Sequence, residues 1–203
     1  MMKYIYHPPK TEKAPVLLLL HGTGGSEQDL IELGRELHPD AGRLSVRGQE
    51  IENGMPRYFK RLAPGVFDLD NLTMRTEELY QFIQTAREEH AFQTNPLIAV
   101  GYSNGANIAG SLMYDFPEAL AGAVLFHPMV PRRDKQPTHL SGKDVWIGAG
   151  TNDPMCPAEE TKDLTSYLQQ AGAEVDVFWT NQGHQLSMAE VEAAKNWLSG
   201  RSF

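Results

Sequence analysis

The sequence predicts an α/β fold with a mostly parallel central sheet of about seven strands and helices on both faces. Two observations carry this. Short segments rich in β-formers alternate along the 203 residues with longer amphipathic ones, the pattern of repeated strand and helix units. Most of the short segments are uniformly apolar, as strands covered on two sides must be.

In chain order, a strand at 3–7 is followed by one at 16–20, where Val16-Leu17-Leu18-Leu19-Leu20 is the longest apolar run. A helix at 27–37 and a strand at 43–46 come next, and a long connection leads to an amphipathic helix at 71–90. The apolar strand at 97–100 runs into Gly101-Tyr102-Ser103-Asn104-Gly105 and then a helix at 106–114. A strand at 122–126 precedes the stretch 128–137, which is too short for a lid domain and reads as a surface loop. After the strand at 145–149, a helix at 157–171 has Pro157 suited to its first turn and Gly172 suited to its exit. The strand at 175–179 precedes a helix at 188–199, which Ser187 and Glu190 open as a capping box. The whole of 1–203 reads as one domain without internal repeats.

Composition narrows the function. A net charge of -8 with only 18 Lys and Arg disfavours nucleic acid and anionic membrane as partners; small-molecule substrates fit better. No apolar run approaches bilayer length, and the N-terminus lacks a signal-peptide core. The single cysteine, Cys156, excludes an internal disulfide, and a reducing cytoplasm is the default location. Nothing in the sequence decides between a monomer and a homodimer.

Gly-x-Ser-x-Gly between an apolar strand and a helix is the sharp turn that lifts a serine hydroxyl to the edge of a sheet. Its glycines have a steric reason, because neighbours of a strained serine cannot carry bulky side chains. A serine hydroxyl needs a base, and the base an orienting acid, in the order Ser, Asp or Glu, His for this turn. Asp153, in Gly150-Thr151-Asn152-Asp153-Pro154, follows the strand at 145–149, and His184 follows the strand at 175–179, so both emerge at the edge that carries Ser103. Asp144 and Asp176 lie before or inside strands. His21 and His127 are rival bases; His127 precedes the acid, the wrong order, and Pro128 after it points to a structural or pocket-lining position. The oxyanion amides are expected from Asn104, at a helix N-terminus, and Thr23, in His21-Gly22-Thr23-Gly24-Gly25. That glycine-rich loop lacks the Lys-Ser/Thr ending and the spacing of a phosphate-binding loop.

Taken together, Leu20-His21-Gly22-Thr23-Gly24-Gly25, the serine pentapeptide, His127-Pro128-Met129, Gly150-Thr151-Asn152-Asp153-Pro154 and Gly183-His184 resemble the phospholipase/carboxylesterase branch of the α/β-hydrolases. Ser45-Val46-Arg47-Gly48 and Glu52-Asn53-Gly54-Met55-Pro56-Arg57-Tyr58-Phe59 are most similar to its small bacterial carboxylesterases associated with quinone stress, the MhqD-type. The resemblance implies a serine esterase acting on a small-molecule ester, with no large cap domain, no cofactor and no metal. Thioesters and lactones are alternative substrates for the same triad, and a non-catalytic receptor is the remaining alternative. Where the family commonly has Gln after the nucleophile, this chain has Asn104, so its side-chain contact must differ. In the connection after residue 46, Met55, Tyr58 and Phe59 are candidate apolar walls of the substrate pocket, with Met129 opposite. Packing beneath a loop is the alternative. Arg57 is a candidate for binding a substrate carboxylate or for an internal ion pair. Cys156 reads as a buried, inert thiol.

Overall fold

The computed structural model describes residues 2–203; Met1, part of the N-terminal segment read above, lies outside them. The chain runs through β1 (Tyr4–His7), β2 (Val16–Leu20), α1 (Ile31–Leu37), β3 (Gly42–Val46), β4 (Glu50–Glu52), β5 (Met55–Arg57), β6 (Arg61–Ala63) and β7 (Val66–Phe67). It continues through α2 (Leu69–Glu89), β8 (Leu97–Tyr102), α3 (Asn104–Asp115), β9 (Gly122–Phe126), β10 (Asp144–Gly150), α4 (Ala158–Gln170), β11 (Glu174–Thr180) and α5 (Met188–Ser199). The central sheet has seven strands in the order β1-β3-β2-β8-β9-β10-β11. Only the β1 to β3 pairing is antiparallel, as the sequence predicts for a mostly parallel sheet.

Alternation along β2 shows why the sheet is covered twice. Val16, Leu18 and Leu20 face a core shared with Leu72, Leu79 and Ile83 of α2, Ile108 and Leu112 of α3, and Leu164 and Leu168 of α4. Leu17 and Leu19 face the opposite core, with Leu37 of α1 and Val191, Ala194 and Leu198 of α5. All five β2 side chains are fully buried, and each such burial contributes roughly 1.5–3 kcal/mol before conformational entropy is set against it.

The elements differ from the sequence reading in three places. The helix expected from residue 27 starts at Ile31, because Glu27 is buried against Arg47 and Lys3 and the residues after it form turns. Pro157 is the N-cap of α4, not a first-turn residue, while Gly172 leaves that helix at φ +101° as expected. The long connection after β3 folds as two hairpins, β4–β5 and β6–β7. Asn53 and Gly54 turn the first with positive φ, and its strands are too short to show an alternation in sequence. These hairpins stand at the carboxyl edge of the sheet; among the described residues no cap domain covers it.

Candidate active site

Five neighbouring strands, β2, β8, β9, β10 and β11, each send one loop to the carboxyl edge. After β8 the chain turns at Ser103 with φ +53° and ψ -113° and enters α3 at once. A serine held there costs about 1–3 kcal/mol. The Ser103 amide is fastened to the Phe126 carbonyl at 2.9 Å. The flanking glycines are required by close approach: a Cβ on Gly101 would lie 2.6 Å from the Ala106 nitrogen, and one on Gly105 would overlap the Leu20 carbonyl.

Ser103, Asp153 and His184 come together as the sequence predicts. His184 Nε2 lies 2.8 Å from Ser103 Oγ, and His184 Nδ1 lies 2.8 Å from Asp153 Oδ2. An ionised carboxylate only accepts, so the proton sits on Nδ1 and Nε2 is left as the acceptor for the serine hydroxyl. Asp153 is fully buried at its side chain. Burial alone would raise its pKa, but the amides of Cys156 and Met155 and the His184 ring outweigh that and hold the carboxyl below its ordinary range. The Tyr102 hydroxyl donates to the His184 carbonyl at 2.8 Å and tethers the histidine loop.

The loop after β2 is pinned on both sides. The Gly24 amide donates to the Pro56 carbonyl at 2.9 Å, and Arg57 Nη1 donates to Thr23 Oγ1 at 2.9 Å. The amides of Thr23 and Asn104 donate no hydrogen bond among the described residues, which leaves them available to a ligand oxygen. His21 is no base: its Nε2 accepts from the Gly48 amide at 3.0 Å, its Nδ1 donates to the Gly22 carbonyl at 2.6 Å, and burial lowers its pKa, keeping it neutral. His127 does not line a pocket; it is 1% exposed and packs behind Asp153. One ligand-capable atom each from His127, Asp153 and His184 lie within 4.8 Å of one another, with both rings presenting Nδ1 to Asp153 Oδ2 at 3.0 and 2.8 Å.

A cleft of about 350 Å³ opens over Ser103 and His184, with Thr23, Asn104, Arg57 and Met129 in its wall. Two of the expected pocket residues are elsewhere. Tyr58 and Phe59 are 4% and 0% exposed and belong to the core. Tyr58 is a strut: its hydroxyl donates to the Val46 carbonyl at 2.5 Å and accepts from the His21 amide at 3.0 Å, and its own amide donates to Asn104 Oδ1 at 2.7 Å. That last bond is the side-chain contact of Asn104 left open by the sequence. Phe59 packs edge-on against Phe67 at 4.9 Å. Met55 is 40% exposed and reaches over Gly24, outside the cleft wall. Arg57 faces the cleft but also contacts Glu52 at 3.4 Å. The sequence reading missed Arg61 and Phe67 of the second hairpin, and Met155 and Cys156, as wall residues. Adjacency to Asp153 was the available signal for the last two. Burial raises the pKa of the Cys156 thiol and keeps it protonated.

Fold and edge together define an α/β-hydrolase. The sequence profile described as the Dienelactone hydrolase family matches residues 1–192, and the chain belongs to that family. The likeness to small bacterial carboxylesterases of MhqD type read from the sequence stands. The chain is 52% identical over 196 residues to "Putative hydrolase MhqD" of Bacillus subtilis (strain 168), covering 97% of both. A solved Bacillus cereus carboxylesterase is similar at 52% identity with a TM-score of 0.96, over 98% of this chain and 94% of that one. A carboxylesterase from Mesorhizobium loti is similar at 30% identity and a TM-score of 0.90, over 98% of this chain and 95% of that one. The chain is thus a hydrolase enzyme. Among the described residues no helix is long and apolar enough to cross a membrane.

Proposed function

We propose that the chain is a serine carboxylesterase that cleaves small carboxylic esters through an acyl-enzyme on Ser103. The reading is carried by the unbroken line of 2.8 Å contacts from Ser103 Oγ through His184 to Asp153. His184 takes the hydroxyl proton as Ser103 attacks the ester carbonyl, and Asp153 stabilises the imidazolium that forms. The free amides of Thr23 and Asn104 bind the oxyanion, each worth on the order of 3 kcal/mol in the transition state. The proton passes from His184 to the departing alkoxide, and a water activated by the same histidine then releases the acid. Arg57 and Met129 contact the substrate in the cleft, and no cofactor or metal takes part.

The test is labelling of the full chain by a fluorophosphonate together with turnover of a chromogenic short-chain ester. Ser103→Ala abolishes labelling and lowers turnover by on the order of 10³-fold or more. Equal turnover by variant and parent sinks the reading. A second reading, hydrolysis of a lactone by the same residues, is favoured by the dienelactone hydrolase profile. A lactone is an internal ester, so competition between matched lactones, esters and thioesters for one enzyme preparation separates the substrate classes.

A further inference from the structure

His127 has no role in the chemistry just described, yet its surroundings are fully specified. It follows β9 directly, beside Ser103, and both residues have positive φ, at +52° and +53°. Strain of this kind persists where the neighbours over-determine it, and here they do. The His127 amide donates to the Gly148 carbonyl at 2.8 Å. Its Nδ1 lies 3.0 Å from Asp153 Oδ2, the oxygen that also receives His184. Its Nε2 lies 3.0 Å from Glu190 Oε1, and the side chains of both residues, like that of Asp153, are 0% exposed.

The remaining bonds fix where protons can be. Asp153 Oδ1 already accepts the amides of Met155 and Cys156, and Glu190 Oε2 accepts the amide and hydroxyl of Ser187. Among the described residues, His127 Nε2 and Glu190 Oε1 have no hydrogen-bond partner, the oxygen lying off the ring N–H line at its 3.0 Å contact. A bare ring nitrogen facing a bare carboxylate in a buried site is repulsive, so a proton must lie on one of them. With the proton on the ring, each of the two buried carboxylates faces an N–H of one cation, the arrangement that best offsets their burial. Room for Glu190 is kept by Gly148, where a Cβ would lie 3.0 Å from both Oε1 and the Trp146 ring.

We propose that His127, held as an imidazolium between Asp153 and Glu190, is a positioning residue that fixes the Asp153 carboxylate against His184. The proposal rests on the serine-hydrolase reading for its kinetic consequence. Burial alone would lower the pKa of His127, but Glu190 and then Asp153 outweigh it and raise the value, while both carboxyls are held below their ordinary range despite burial. The groups facing the ring are Glu190 from α5, Asp153 after β10, His184 after β11 at 5.3 Å between ring centroids, and Tyr102 of β8 edge-on at 6.1 Å. The Cys156 thiol donates to the His127 carbonyl at 3.2 Å and carries no charge. The trio thus holds one net negative charge, with its positive member next to the catalytic pair.

The test has two arms on the full chain. In the first, kcat and KM are measured separately for the parent, Glu190→Gln and His127→Gln. Both variants lower kcat by about tenfold or more with KM within about twofold, because a loosened Asp153 no longer aims His184. A kcat unchanged in Glu190→Gln overturns the proposal, since glutamine mimics a protonated glutamate beside a neutral ring. In the second arm, nitrogen-15 spectra of the parent at about pH 8, above the range of an unperturbed histidine, show one histidine with both ring nitrogens protonated. Neutral signatures for all seven histidines overturn it. This arm needs neither folded variants nor turnover. A parent that neither labels with fluorophosphonate nor turns over esters sinks the esterase reading alone, and the spectra still decide the protonation of His127.

Discussion

The difference between Phe59 and Met129 is one of depth. Both were candidate walls of one pocket, but Phe59 is fully buried among core side chains while Met129 faces the cleft with its amide on Asn107 Oδ1 at 2.7 Å. Phe59→Ala is therefore expected to lower unfolding free energy by about 3–5 kcal/mol in urea titration. Met129→Ala should instead change KM and leave the urea midpoint close to the parent's. A raised KM with unaltered stability in Phe59→Ala would return that residue to the pocket. Protonation adds a second prediction at this scale. Asp153 and Glu190 are held low, so their stabilisation is present above about pH 4.5 and is lost as pH falls through their folded values. His127 is held high, so its contribution is complete below about pH 6.5 and is lost as pH rises through its folded value. The Tm gap between the parent and His127→Gln should therefore narrow from about pH 6 to about pH 9; a constant gap contradicts a charged His127.

Elements decide how those residues are aimed. Gly105 lies where α3 crosses the end of β2, and Gly105→Ala puts a methyl into the Leu20 carbonyl. Backbone cannot yield as a flexible side chain can, so this variant is expected to lose at least as much stability as a core truncation, on the order of 3 kcal/mol, read as a lowered Tm. The opening of α5 performs two tasks: Ser187 and Glu190 form the capping box, and Glu190 also faces His127. Ser187→Ala should cost about 1 kcal/mol through the cap. The cap was legible in the sequence because its two residues are three apart in the chain. The second task was not, because residues 127 and 190 meet only when β9 and α5 are packed. The hairpins after β3 escaped notice for a related reason: strands of two or three residues carry no periodicity, and their place over the cleft is a tertiary fact.

Across the whole molecule, the sheet serves as a ruler that brings five loops to one edge, and the cleft there is small. Its volume of about 350 Å³ is near the low end for small-molecule sites. Ester turnover is expected to fall by about tenfold or more in kcat/KM from butyrate to laurate esters; a preference for laurate would point to a second, apolar subsite along the exposed Leu62 and Val66 of the outer hairpin. By itself the sequence determined the seven sheet strands, the five helices, the positions of Ser103, Asp153 and His184 at strand ends, and the glycine-rich loop after β2, because each is written in a local apolar run or in a turn of fixed chemistry. Only the tertiary structure decided that Tyr58 and Phe59 support the site from below, that Arg57 braces Thr23, and that Glu190 stands behind His127. Those are contacts between residues distant in the chain, and depth and facing are set by how layers pack, which no neighbouring residue encodes.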